Sequence, residues 1–480
     1  MRAITRDADA APEHHDDLLI LRVGPHLMRD ARRPHDTPAL RHLARLEARG
    51  HLHGVHAMDG GSLGGSLGGS LGGSLGGSHA RVVRALRRAH RHHRTGEAHR
   101  GIVMVHLKHA RHREALHDLL RDDPHVEWAE RVPMRFIAGS EIRLPAPRGW
   151  HHAAVRLEEA RALPGFREPR RIRVGVIDTG VDAGHPALRG RIARYVHRIG
   201  PYHAGPEDVV GHGTHVCGII AAGANDMGAA GMCRPRLFAW KVFSTDTYLA
   251  GGPDAAQRHY LVDAIAYRAA LHDALAARLD VLNLSLGGTG RPDPHEAALL
   301  ARLQASGTTI VAAMGNSIAQ RRRPSYPAAS PGVVAVGAVD RDGEVAGFSG
   351  IGRHIALCAP GVEIWSTLPR QPGTFGYGVT PSGRRAAGPS GLERNVRYDG
   401  WLGTSMACPQ VTAAVAMLVG MHGPMTPDDV RLRLMRTATP LPAMRGRAFT
   451  MSCGAGRLDV ARLLADATRG PRARTRRTGR

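Results

Sequence analysis

Lysine is nearly missing from this 480-residue chain: Lys108 and Lys241 stand alone among 65 Lys and Arg residues, so arginine carries the formal net charge of +23. The arginines are scattered through every region and gather on no recognition motif, so nucleic acid is not the expected partner despite the basic pI. Aromatic residues are also scarce, at 4% against 42% hydrophobic content. A core with so few rings has to be built from closely packed Ala, Val, Leu and Ile, which suits a layered α/β protein. The five cysteines (Cys217, Cys233, Cys358, Cys408 and Cys453) are odd in number, widely spaced and form no CxxC pair. That excludes a disulfide framework and a cysteine zinc site, and leaves five small buried hydrophobes. No apolar run approaches membrane-spanning length. The opening MRAITRDADAAPEHHDDLLILRVG places acids and histidines where a signal peptide needs an apolar core. The expectation is a soluble chain with no membrane span and no readable export signal, its compartment left open.

The length predicts two or three domains. Residues 60–78 read GGSLGGSLGGSLGGSLGGS, four tandem units and a remnant, with too little to bury and too much backbone entropy to lose. This predicts a linker over 59–78 that sets apart an N-terminal region, 1–58, of unknown role. Within that region LLILRV (18–23) reads as a strand and TPALRHLARLEARG (37–50) as a helix closed by Gly50. After the linker, RVVRALRRAHRHH has a helical pattern, followed by a strand at 101–107, a helix at 113–123 and a strand at 126–132. These make a small α+β unit over 79–137. Residues 133–150 hold three prolines and no clear periodicity, so 138–170 reads as a junction leading into the next domain.

From there the texture changes. RIRVGVID (171–178), RLFAWKVF (236–243), DVLNLSL (280–286), TTIVAAM (308–314) and GVVAVGAV (332–339) are near-continuous apolar runs of buried-strand length. Helical patterns lie between them, at 260–279 and 295–306. Alternation of this kind predicts a parallel sheet with helices on both faces over 171–467, followed by a basic tail at 468–480. Its site belongs beyond the carboxyl ends of the strands.

Three stretches meet that expectation. VGVIDTGVD leaves a buried strand with Asp178 at its carboxyl end. GHGTHVCGIIAA (211–222) opens a small-residue helix with His212 in its first turn, and GTSMACP (403–409) opens the apolar helix QVTAAVAMLVGM with Ser405. A serine hydroxyl attacks a carbonyl only when a base takes its proton. An imidazole serves if a carboxylate fixes its tautomer and stabilises its charged form. VAAMGNS places Asn316 just after a buried strand, where a donor to an oxyanion would stand. Taken singly, each of these could be a cap or a turn; together, at matching element ends, they point to nucleophilic catalysis.

VIDTGVD, GHGTHVCG, VAAMGNS and GTSMACPQV, in that order, resemble the motifs of the subtilisin-like (subtilase) serine proteases, and the similarity runs over roughly 170–465. The resemblance implies a subtilisin-like three-layer α/β fold with a parallel central sheet, preceded by a small propeptide-like α+β region. It implies a serine endopeptidase working through an acyl-enzyme, with Asp178, His212 and Ser405 catalytic and Asn316 in the oxyanion hole. It also implies substrate backbone pairing along Ser285, Leu286 and Gly287 and along Ala313, Met314 and Gly315. Two departures stand out: Gln410 where many members have histidine, and Thr412 where glycine is common. The expected partners are polypeptide substrates and the chain's own propeptide-like segment, acting as intramolecular inhibitor and removed by self-cleavage between about 133 and 150. No cofactor is required on this reading; structural calcium is compatible with the family, but Asp182, Asp208, Asp226 and Asp246 are scattered singly and none is assigned as a ligand. The alternative is a catalytically silent subtilase-fold binding protein, or a basic protein that meets nucleic acid.

Overall fold

The computed structural model describes residues 14–23, 37–58, single positions between 82 and 89, 101–134, 136–137, 148–197, 205–225, 227–250, 257–316, 321–373, 377–378 and 394–466. Strand β1 (His14–Val23), helix α1 (Pro38–Ala48), β2 (Leu52–Ala57), β3 (Ile102–Leu107), α2 (Arg113–Arg121) and β4 (Val126–Pro133) form one N-terminal unit. Its four-stranded sheet has the order β2-β3-β1-β4, with every neighbouring pair antiparallel. Alternation along β1 explains its unbroken apolar run. Leu19, Leu21 and Val23 face Leu40, Leu43, Leu116 and Leu120 of the helices, whereas Leu18 and Ile20 face Met104, Val132, Ala264 and Ile265. The last two belong to the following domain, so one face of the small sheet docks there.

This arrangement corrects the division drawn from sequence. Residues 14–58 are not a separate region, because β1 lies between β3 and β4 and is the centre of the unit that 79–137 was expected to make alone. Apolar patterning names a strand but not its partner, and these partners are far along the chain, Ile102 opposite Arg22 and Arg131 opposite Leu19. The Gly/Ser/Leu repeat itself lies outside the described residues, as do 79–81 and the tail beyond Asp466.

The chain continues through β5 (Phe136–Ile137), α3 (Trp150–Ala154), α4 (Leu157–Arg161), β6 (Arg173–Asp178), β7 (Ile192–His197), α5 (His212–Ala221), β8 (Arg236–Lys241), β9 (Phe243–Ala250) and β10 (Gln257–Val262). Then follow α6 (Ala264–Ala277), β11 (Val281–Leu284), β12 (Leu286–Gly287), α7 (Pro294–Ala305), β13 (Thr309–Ala313), β14 (Val334–Val339), β15 (Ile355–Pro360) and β16 (Ile364–Thr367). The last elements are β17 (Tyr377–Gly378), β18 (Tyr398–Trp401), α8 (Thr404–His422), α9 (Pro427–Thr437) and α10 (Val460–Ala465). Seven parallel strands, ordered β15-β14-β13-β11-β6-β8-β7, make the central sheet. Helices α5 and α8 pack together on it, and α6 and α7 form a second pair against it, the double cover a parallel sheet needs. The helix expected from residue 260 begins later, because Asp263 caps α6 by accepting from Ile265 N and Ala266 N, and 257–262 is strand.

Helix α8 is apolar all round. By length and composition it could cross a membrane, yet 89% of its most apolar window is buried inside the protein, which marks a core helix. It carries Ser405 up from the core to the carboxyl end of the sheet, where β6 ends in Asp178.

Deleting residues 1–58 takes away β1 and β2, the two strands that pair with β3 in the N-terminal sheet. The expected outcome is loss of amide hydrogen-exchange protection over 102–107; protection retained there would show that 14–58 and 101–133 do not form one sheet.

Candidate active site

Asp178 is buried at the end of β6, and its Oδ1 accepts from Thr179 N at 2.7 Å and from His212 Nδ1 at 2.7 Å. A carboxylate only accepts, so Nδ1 carries the proton. The other nitrogen of the neutral ring, Nε2, is left with its lone pair free to act as a base. Nε2 has no hydrogen-bond partner in this structure. The close approach of the two segments depends on a glycine: a Cβ on Gly213 would lie 2.1 Å from Gly180 O and 3.1 Å from the Cβ of Asp178. Trp401 lies beside His212, with ring centroids 6.2 Å apart, and stacks on His215 at 5.0 Å and 11°. Burial pushes the His215 imidazole down to about 3, so it stays neutral, and its Nε2 donates to Asp399 O.

Ser405 is the second residue of α8, not its cap; that position belongs to Gly403, which offers no side chain. Its backbone N–H has no carbonyl one turn back to bond to, and it stands at the positive end of the helix dipole. The Ser405 hydroxyl donates to Ser285 O at 3.0 Å, and the Ser285 hydroxyl returns a bond to Ser405 O at 3.1 Å. Beneath them Asn283 Nδ2 donates to Ser285 Oγ at 3.0 Å, and Thr412 Oγ1 donates to Asn283 Oδ1 at 2.9 Å. Thr412, one of the two sequence departures, thus ends a buried polar column under the serine. The other, Gln410, donates to Pro360 O and Met406 O.

Asn316 follows β13 after Met314 and Gly315. Its Oδ1 accepts from Thr404 N at 2.9 Å and from Thr404 Oγ1 at 2.8 Å. With the oxygen held on that side, the amide Nδ2 is turned away from Thr404 as a donor. Thr404 also receives Gly315 N at 3.1 Å. Sequence reasoning passed over Thr404, although it sits beside Ser405; its role depends on a contact across 88 positions.

The edge formed by Ser285, Leu286 and Gly287 is occupied. Strand β5 pairs antiparallel with β12, Leu286 opposite Ile137 and Gly287 opposite Phe136, and also with β10 through Leu261. On the opposite side, Ala313 ends β13 while Met314 N bonds to Val336 O and Gly350 N to Gly315 O. Asp178, His212 and Ser405 are each no more than 1% exposed.

Among the described residues no group of three or more His, Cys, Asp or Glu side chains is placed to hold a metal ion. Asp182 is engaged by Arg370, and Asp208 by Thr179, Gly211 and Thr214. The Asp226 site and the Asp246 side chain lie outside the described residues. All five cysteines are buried. Burial pushes the Cys408 thiol up to about 12 and the Cys217 thiol well above its usual range, with Asp178 adding to both. Both therefore remain protonated thiols at neutral and mildly alkaline pH. Iodoacetamide at pH 8 is expected to leave both unmodified in the native chain and to label them in urea; peptide mapping of the two samples checks this.

Residues 170–456, more than half of the chain, match the subtilase family, Peptidase_S8. Subtilisin NAT of Bacillus subtilis subsp. natto is 34% identical over 275 residues, which cover 56% of this chain and 61% of that protein's length. A thermostable alkaline protease of Halalkalibacterium halodurans is 30% identical over 333 residues, covering 69% of this chain and 77% of its own. Among solved structures, fervidolysin from Fervidobacterium pennivorans, described as a keratinolytic enzyme related to subtilisin, aligns over 97% of this chain and 62% of its own. The TM-score is 0.62 at 22% identity, a likeness of fold. The chain belongs to the subtilase family.

Proposed function

We propose that this chain is a serine endopeptidase made as a self-processing proenzyme. The observation that carries the reading is a carboxylate-bound imidazole with a free Nε2 on a helix that packs against the buried helix whose first turn holds Ser405. In this mechanism Ser405 Oγ attacks the peptide carbonyl and its proton passes to His212 Nε2. Asp178 stabilises the imidazolium so formed, and Asn316 Nδ2 and the Ser405 N–H receive the oxyanion. Collapse of the tetrahedral intermediate breaks the C–N bond, and the imidazolium returns its proton to the leaving amine. A water, deprotonated by the same ring, then releases the acyl group from Ser405.

The substrate adds as a strand to the Ser285–Gly287 edge, so main-chain bonds supply affinity with little demand on sequence. Support comes from β5, which already lies there as a substrate would. Its register runs from Gly287 towards Ser285 as the chain passes from Phe136 to Ile137, so the bonds following Ile137 are led towards Ser405. The N-terminal unit then acts as an inhibitor in cis, its sheet docked on α6 and its trailing strand filling the cleft. No observation favours a silent binding protein or a nucleic-acid partner.

Intact-mass spectrometry of the full chain beside Ser405→Ala, after equal incubation, tests this. Cleavage shortly after Ile137, seen only with the serine present, is the expected result; two chains that both stay whole and both leave added casein uncut would overturn it. The Asn316–Thr404 contact yields a second prediction. Thr404→Val is expected to lower kcat about tenfold with KM unchanged, less than the ~10²-fold or more lost with the oxyanion donor itself. Thr404→Ser, which keeps the hydroxyl, should remain close to the parent; steady-state kinetics on a peptide ester decides.

A further inference from the structure

Helix α5 starts with an unsolved problem: its N-cap is Gly211, which has no side chain to satisfy the first-turn N–H groups. They are satisfied from outside the helix. Gly211 N donates to Asp208 Oδ1 at 2.8 Å, Thr214 N to Asp208 Oδ2 at 2.8 Å and Gly213 N to Thr179 Oγ1 at 2.8 Å. Two hydroxyls complete the set, Thr179 donating to Asp208 Oδ1 at 2.7 Å and Thr214 to Asp208 Oδ2 at 2.6 Å. Each oxygen of this buried side chain thus accepts two donors. The donors belong to two segments, Thr179 next to Asp178, and Gly211 and Thr214 on either side of His212. The 2.7 Å bond between Asp178 and His212 spans those same two segments.

We propose that Asp208 is a positioning residue for the proton relay, tying the Asp178 turn to the first turn of the His212 helix so that their hydrogen bond keeps its register. Asp208 touches neither the reacting atoms nor the substrate edge. Its own loop is held from the far side by Arg394, a buried guanidinium whose partners are backbone carbonyls. Nε donates to Val209 O at 2.7 Å, Nη2 to Asp208 O at 3.3 Å, and Nη1 to Asn395 O at 3.0 Å and Pro369 O at 3.4 Å. Arg370 meanwhile grips Asp182, in the turn after Asp178, with Nε at 2.9 Å and Nη2 at 3.0 Å. Arg370 and Arg394 thus brace, from outside, the two segments that Asp208 ties together. The proposal rests on reading Asp178, His212 and Ser405 as a relay.

The test uses the full chain carrying Ser405→Ala, which cannot cut itself. The Nδ1 proton shared between His212 and Asp178 gives a low-field proton resonance, a spectroscopic signature that needs no turnover. Asp208→Asn, whose amide nitrogen cannot accept, is expected to abolish or exchange-broaden that resonance. Thr179→Val should do the same, and Thr179→Ser should restore it. Asp459→Asn is the control: Asp459 is another buried carboxylate, capping α10 through Arg462 N at 2.8 Å and bonded to Thr439 Oγ1 at 3.0 Å, remote in its partners from the site. It is expected to lower stability and leave the resonance unchanged. In chains that keep Ser405, kcat per titrated serine should fall ~10²-fold in Asp208→Asn at constant KM, the scale of a small misplacement. A resonance unaltered in position and intensity in both Asp208→Asn and Thr179→Val would overturn the proposal. If instead the resonance responds as expected while the Ser405 chain cleaves nothing, the protease reading fails and the positioning role of Asp208 stands.

Discussion

A carboxylate and an imidazole share one 2.7 Å hydrogen bond in a place almost closed to water, and much of the surrounding structure exists to make that arrangement tolerable. A buried charge is costly unless it is hydrogen-bonded. Asp178 meets that demand on one oxygen only: Oδ1 accepts from Thr179 N and His212 Nδ1, which leaves Nε2 as the ring's other nitrogen, while Oδ2 is buried without a partner. The strand that brings Asp178 there is flanked by parallel neighbours on both sides, so the carboxylate stands on the least deformable part of the fold. The imidazole comes instead from a helix end, and helix ends are adjustable. That difference explains why the second buried carboxylate, Asp208, sits on the helix side.

The serine faces an opposite constraint. Its helix is apolar on every face and fixed by burial, so the hydroxyl cannot be moved by shifting α8; only its torsion is free. The polar column Thr412, Asn283 and Ser285 anchors the backbone around Ser405 from below, within a region otherwise filled with Ala, Val and Met. A polar column inside such a core is acceptable because each bond hands on to the next, and Asn283 and Ser285 each both donate and accept.

Much of this was legible in the sequence, and unevenly so. The central strands announced themselves because parallel strands buried on both faces leave near-continuous apolar runs, as in RIRVGVID and GVVAVGAV. Asp178, His212, Asn316 and Ser405 were legible because each stands at the end of an element whose pattern is readable. Partnership was not. LLILRV reads as a strand, but nothing in it says that it lies between β3 and β4, across a repeat that looked like a boundary. Strand β5 was invisible for a related reason: two residues in a proline-rich stretch are extended only because an edge is there to receive them. Thr404, Asp208 and Arg394 share that character, since their roles consist of contacts with residues 88, between 3 and 29, and up to 186 positions away. Asp263 is the exception that was readable in principle: an aspartate before an alanine-rich run is an N-cap signal, and it sets the start of α6 at Ala264, inside the helical pattern read from residue 260.

The Ser405 hydroxyl is tied to the strand edge. Ser405 Oγ–H bonds to Ser285 O, and His212 Nε2 has no hydrogen-bond partner. Ser285 precedes β12, so its carbonyl belongs to the same edge that receives an added strand. A chain laid along that edge in the register of β5 brings the residue after the one opposite Leu286 to Ser285. Its N–H is the natural partner for that carbonyl. A carbonyl oxygen has two lone pairs, so the serine hydroxyl and an arriving N–H can share Ser285 O. The edge that binds an added backbone is thus the same edge that fixes the Ser405 hydroxyl.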